Sequence, residues 1–281
     1  MLHPLLRSAC WHRHANLPGL CLMLAIAAPA AASQNTANSN NITVAPLKLC
    51  YEDVPQRPWT LADGSGLNFV LLKAVSKRSN EPFEYHALPW KRCLAYVATG
   101  EMDGVVAAAY SAERSQWGAI ALQANGQERP ETRLYADEFL VYVRKNSNVS
   151  WDGKTFHNLK GAVAIQAGYV VAERLREMKV ELDQSGKSAE HGLRLLMAGS
   201  VEIAVLQSSQ AGYLVRTDPR FRDKVEVLPQ PFASVPLYLL MSRKTWVREP
   251  KRLEKIWQAI AVEREADAYK KQEKAALLAD Q

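Results

Sequence analysis

Leu94-Ala95-Tyr96-Val97-Ala98-Thr99-Gly100-Glu101-Met102-Asp103-Gly104-Val105-Val106 and, in the second half of the chain, Leu195-Leu196-Met197-Ala198-Gly199-Ser200-Val201-Glu202-Ile203-Ala204-Val205 share one outline. Each is an amphipathic helical run ended by glycine, followed by an acidic residue and a short apolar strand. Glycine ends helices because it enters the left-handed region without a Cβ clash. A short, wholly apolar strand reads as one covered on both faces, the usual state of a parallel sheet. The cycle occurring twice predicts two similar half-domains with a cleft between them.

The flanking sequence repeats the alternation. Residues 47–51 read as a strand, and Gly64-Ser65-Gly66 opens a helix with Phe69, Val70, Leu72 and Val75 on one face. Residues 82–88 read as a strand, 90–99 as the helix closed by Gly100, and 103–109 as the next strand. In the second cycle, 139–144 and 162–166 read as strands, Gly168 opens a helix over 170–178, and 190–198 is the helix ended by Gly199. Strands follow at 202–206 and 237–242, and 250–279 is largely helical with a charged, solvated outer face. Strands alternating with helices at this spacing imply an α/β fold with mainly parallel sheets. In such sheets ligands lie beyond the carboxyl ends of the strands, so two facing lobes make one site.

The N-terminus sets the expected compartment. Residues 1–16 carry Arg7 and Arg13 and no acid, 20–28 is a short apolar run, and Ala30-Ala31-Ala32 precedes Ser33. That order predicts a cleaved signal peptide over 1–32 and export to the periplasm. The run is shorter than the roughly 20 apolar residues of a membrane span, and no other segment approaches that length. Leu20 before Cys21 argues against a lipid anchor. Cleavage would lower the net charge from +6 to +4 and leave 249 residues, long for one domain and suited to two lobes. The basic residues are scattered rather than clustered, which excludes a nucleic-acid footprint. Residues 33–45 are polar and Asn-rich, a flexible leader.

Of the four cysteines, Cys50 and Cys93 would remain after cleavage. An even pair in an oxidising compartment favours a disulfide over two separately buried thiols. No CxxC or HExxH pattern is present, and His86, His157 and His191 are dispersed, so neither a metal nor a cofactor is expected.

Further motifs sit at ordered intervals: Gly100-Glu101-Met102-Asp103-Gly104, Tyr110-Ser111-Ala112-Glu113-Arg114, Leu134-Tyr135-Ala136, Val141-Tyr142-Val143-Arg144-Lys145, Asn158-Leu159-Lys160-Gly161 and Ala198-Gly199-Ser200-Val201-Glu202-Ile203-Ala204. In their order the chain resembles bacterial extracellular solute-binding proteins of family 3, the polar amino-acid receptors of ABC transporters, from about Leu47 to Tyr269. The resemblance implies a two-lobed type II periplasmic-binding-protein fold. Lobe 1 would be 46–136 plus 237–270, lobe 2 would be 137–236, two hinge strands would pass near Ala136 and Val235, and 271–281 would be a helical tail. It also implies a monomer that closes on a small molecule and delivers it to a membrane permease.

The resemblance assigns Arg114 to the ligand carboxylate, which a guanidinium pairs through both oxygens. The alternative is an exposed arginine in a helix start capped by Ser111; Ser111 is otherwise placed with it at the ligand. Backbone N–H groups at Gly168 and Tyr169 would make the second carboxylate contact, unless Gly168 is a plain turn glycine. Trp59 and Trp90 follow strands and are candidate apolar walls, with core packing as the alternative. Two positions depart from the family pattern. Ala107, Ala108 and Ala109 stand where hydroxyl residues are usual, and Gln207, beside Ser208 and Ser209, stands where an aspartate usually pairs the ligand ammonium. A neutral amide cannot neutralise a buried ammonium, so Glu52 or Asp53 would have to substitute. Two other functions are open. One is a dehydratase-like enzyme using Glu113, Glu202 or His86; the other is an accessory or sensory protein with a degenerate pocket.

Overall fold

The structure is a computed structural model and describes residues 44–279. The signal peptide expected over 1–32, and all of the expected leader but its last two residues, lie outside the described residues. The chain opens with β1 (Leu47–Glu52), buried everywhere except Lys48, then α1 (Leu67–Ser79), β2 (Phe83–Leu88), α2 (Trp90–Thr99) and β3 (Gly104–Ala108). β1 pairs in parallel with both β2 and β3. Next come β4 (Gly118–Ala119), β5 (Arg133–Arg144), the hairpin β6 (Ser150–Trp151) and β7 (Phe156–His157), and β8 (Val163–Ala164). α3 (Val171–Glu177), β9 (Leu182–Asp183), α4 (Ala189–Ala198), β10 (Ile203–Gln207) and α5 (Ser208–Thr217) complete the second cycle. β11 (Val225–Val227), β12 (Ala233–Ser242), α6 (Arg243–Arg248), α7 (Pro250–Arg264) and α8 (Asp267–Ala279) close the described chain.

One sheet runs β2-β1-β3-β12-β5-β10-β8-β9, with β11 beside β5 and β4 beside β12. Its two ends are parallel, and the antiparallel strands β12 and β5 join them. At the crossing Pro236 lies opposite Ala136 and Val235 opposite Asp137. Each half of the sheet carries a core on both faces. In the first half α1 and α7 cover one face through Leu71, Leu72, Val75, Ile256 and Trp257, while Val97, Val105 and Leu240 fill the other. In the second half Val141, Ile165, Leu175 and Phe232 form one core, and Leu193, Leu196, Leu206 and Phe221 the other. Each such side chain contributes about 1.5–3 kcal/mol on burial, which is what keeps the layers packed.

The repeated motif has a structural reason. Gly100 and Gly199 end α2 and α4 in the left-handed region, at φ 80° and 74°. The acid that follows ties two parallel strands together. Asp103 Oδ2 accepts from the Lys48 N–H of β1 at 2.9 Å, and Glu202 Oε2 accepts from the N–H groups of Lys160 and Gly161 just before β8.

Cys50 on β1 and Cys93 on α2 form a disulfide with Cα atoms 5.7 Å apart, both cysteines fully buried. β5 begins at Arg133 and β12 at Ala233, upstream of the expected strands over 139–144 and 237–242. The polar pair Asp137-Glu138 and Pro236 interrupt the apolar pattern there. Asp137 is tolerated because the Ser208 and Ser209 hydroxyls each donate to it at 2.7 Å.

Candidate binding cleft

Strand ends converge on one cavity of about 40 Å³ between the two halves of the sheet. Glu52 ends β1, Trp90 begins α2 straight after β2, Arg114 follows β3, Gln207 ends β10, and Tyr169 sits in the turn between β8 and α3. Phe139 of β5, Gln56, Thr60 and Tyr135 add to the polar and aromatic lining. These are the carboxyl ends of the parallel strands, the position that open α/β sheets use for ligands.

Arg114 is 3% exposed. Its Nη1 donates to the Ala109 carbonyl at 2.8 Å and its Nη2 to the Gly168 carbonyl at 2.9 Å. The guanidinium also lies 5.5 Å from the centroid of the Trp90 ring, in cation–π range. Burial pulls the Arg114 pKa down to about 10, outweighing the opposing effects of Glu113 and Tyr169. Neutral carbonyls and a ring therefore do not compensate the charge in full, and a guanidinium in that state favours an anion. Ser111 holds the turn rather than lining the cavity, its Oγ accepting from the Arg114 N–H at 3.2 Å.

Glu52 is the matching acid. Its Oε2 accepts from the Tyr169 hydroxyl at 2.7 Å and from Gln56 Nε2 at 3.1 Å. The same hydroxyl accepts from Gln56 Nε2 at 2.8 Å and Gln166 Nε2 at 3.0 Å. Burial, partly offset by these bonds, raises the Glu52 pKa to about 7. Around it the side-chain oxygens of Gln56, Gln166 and Gln207 are buried with no donor. Such orphaned acceptors are uncommon in folded proteins and mark a place for a donor.

The residues singled out in the sequence divide by position. Arg114, Trp90, Tyr169 and Gln207 line the cavity. Gly168 adjoins it, but presents its carbonyl to Arg114 and to Trp90 Nε1, while the Tyr169 N–H donates to the Gln166 carbonyl. At this turn the group that meets Arg114 is the Gly168 carbonyl. Trp59 stacks on Tyr135 with centroids 4.0 Å apart, inside the core of the first half. Ala107 and Ala109 line the cavity and Ala108 is buried behind them. Ala107 is left-handed at φ 61°, beside a register shift between β3 and β12. That conformation costs an alanine about 1–2 kcal/mol.

Gln56, Gln166 and Phe139 were not singled out by sequence. Gln166 ends an expected strand, and that position was the available signal. The acid and base candidates offered for catalysis do not line the cavity: Glu202 binds the 160–161 backbone, His86 pairs with Glu84, and Glu113 is exposed.

No protein-family model matches the sequence, and no curated protein matches it either. Among solved structures the chain is similar to a histidine kinase sensor domain with similarity to periplasmic binding proteins, at 15% identity and a TM-score of 0.69, covering 84% of this chain and 97% of that one. It is also similar to the GluR0 ligand-binding core from Nostoc punctiforme in complex with L-glutamate, at 17% identity and a TM-score of 0.65, covering 82% and 99%. A third is the substrate-binding protein of an amino-acid ABC transporter, at 15% identity and a TM-score of 0.62, covering 81% and 96%. These likenesses show the fold, a two-lobed type II periplasmic-binding-protein fold.

Proposed function

We propose that this chain is an exported, non-catalytic binding protein. Its lobes, 46–136 plus 237–270 and 137–236, would hinge near Ala136 and Val235 and close on a small zwitterionic solute. One observation carries the reading: a buried guanidinium with only neutral partners shares a cavity with a buried carboxyl ringed by donor-less amide oxygens. A carboxylate would pair with Arg114 through both oxygens. An ammonium, with three donors and no acceptor, would suit Glu52 and the oxygens of Gln56 and Gln207. Glu52, from lobe 1, thereby supplies the charge that Gln207 lacks. Asp53, exposed beside it, does not enter the cavity.

As to role, the protein would work as a periplasmic monomer that hands its solute to an inner-membrane ABC transporter, and likeness to an ABC substrate-binding protein supports this. A sensory or accessory role is the second reading, supported by the likeness to a kinase sensor domain and by the small cavity volume. A dehydratase-like enzyme would have to use Glu52, whose pKa near 7 suits proton transfer. Mass spectrometry of any bound solute after incubation tests that case.

The central test is a thermal-shift screen of the purified protein against amino acids, di-acids, polyamines and sugar acids. A solute at a hundred times its Kd stabilises by about 2.7 kcal/mol, several degrees in Tm for a chain of this size. The expected hits carry both a carboxylate and a cationic nitrogen, and Arg114→Ala abolishes their shift. Hits confined to compounds lacking either group, or none at all, would overturn the reading.

A further inference from the structure

The Gly168-Tyr169 turn already makes the contacts proposed for a solute. It belongs to the half of the sheet that carries β8, and it reaches residues of the other half. The Gly168 carbonyl accepts from Arg114 Nη2 at 2.9 Å and from Trp90 Nε1 at 3.3 Å. One residue on, the Tyr169 hydroxyl donates to Glu52 Oε2 at 2.7 Å and accepts from Gln56 Nε2 at 2.8 Å. An acceptor therefore sits on the guanidinium and a donor on the carboxyl, as the two ends of a zwitterion would.

Shape agrees with chemistry. The Tyr169 ring meets Trp90 and Phe139 edge-on, with centroids 6.1 and 5.9 Å away. The cavity left beside it, about 40 Å³, has room for two or three waters; small-molecule sites usually offer at least about 300 Å³. Gly168 lies at φ 83°, and a Cβ there would come within 3.2 Å of Trp90 Cδ1, so any other residue would be strained and would crowd the opposite wall.

We propose that the Gly168-Tyr169 turn is a built-in occupant of the cleft, latching the two lobes together until a solute displaces it. This rests on the reading of the cleft as a solute site and adds how that site is regulated. The solute competes with an intramolecular partner, so its apparent affinity falls by the fraction of molecules in which the turn has withdrawn. Selectivity follows from the same competition. Only a solute that meets both Arg114 and Glu52 replaces what the turn provides, whereas acetate or methylamine alone replaces half of it.

Small-angle X-ray scattering of the protein without added solute, with Tyr169→Phe and Tyr169→Ala, tests the latch directly. Tyr169→Phe keeps the ring between Trp90 and Phe139 and removes only the hydroxyl, which guards against a folding defect. Losing a hydrogen bond to a charged group shifts the open-to-closed ratio about tenfold. The wild type is expected to scatter as the compact form, with a larger radius of gyration in both variants. By calorimetry, any common amino acid that binds is expected to bind Tyr169→Phe about tenfold tighter. A wild type already open without solute, or a Tyr169→Ala variant as compact as wild type, would overturn the latch. If the variants open but no amino acid, di-acid or polyamine binds either form, the latch stands and the solute reading of the cleft fails.

Discussion

Arg114 and Glu52 are opposite charges in one cavity, each bonded to neutral groups instead of to the other. Holding both there is unfavourable for folding, and Glu52 makes the cost measurable. Its pKa is higher in the folded protein, about 7, than the 4.5 of a free side chain, chiefly through burial. The protonated form is therefore preferred on folding. Its stabilising effect is complete below about pH 4.5 and is lost as pH rises to about 7. Glu52→Gln removes that dependence. In urea titrations the variant should match wild type near pH 4.5 and exceed it at pH 8 by up to about 3 kcal/mol. The other titratable groups around Glu52 are Asp53, Tyr135, Tyr169 and Arg114. Burial raises both tyrosine pKa values well above 10 and that of Arg114 lies near 10, so neither tyrosine nor Arg114 titrates in this window. A wild type whose excess stability rises with pH over this range would contradict the placement of Glu52. Sequence alone left Glu52 and Asp53 as equals, because neighbours on a strand point to opposite faces and only the sheet decides which face is the cavity. Trp59 and Trp90 were undecided for the same reason, since both follow strands and their partners are distant in sequence.

Elements were the most legible level. The helices ended by Gly100 and Gly199, and the acid-led strands after them, form at the expected places because each depends on local backbone chemistry. Gly199→Ala tests this. Nothing lies within 4 Å of a Cβ at that position, so the loss should be the left-handed strain alone, about 1–2 kcal/mol, read as a lower urea midpoint with an unchanged slope. An unaffected midpoint would mean the cap is dispensable. α5 was not anticipated, since Ser208 and Ser209 open it and look like loop residues until their hydroxyls are seen on Asp137. The disulfide links β1 to α2 across a separation of 43 residues, and closing a loop that long stabilises by about 4 kcal/mol. A thiol count on unreduced, unfolded protein lacking residues 1–32 should be zero, and reduction should lower the Tm; a count of two would refute the pairing.

At the scale of the whole molecule, two half-sheets are joined by β5 and β12, which pair through the crossing at Ala136 and Pro236. Any hinge motion has to pass through these strands, and on one side the cleft is spanned by the Gly168-Tyr169 turn. A second link lies nearby, where the Arg57 N–H donates to Gln210 Oε1 and the Arg57 guanidinium lies over the Tyr213 ring. By itself the sequence determined the α/β alternation and the paired cycles, and it left the cysteine pairing and the place of Arg114 as alternatives. Periodicity, glycine caps and motif order are local and survive in a linear string. Only the tertiary structure decided that Glu52 faces Arg114's cavity, that the side-chain oxygens of Gln56, Gln166 and Gln207 are buried without donors, and that Tyr169 from one half reaches Glu52 and Gln56 of the other. Those facts depend on contacts between residues far apart in the chain, whose side-chain directions are set by packing rather than by their neighbours in sequence.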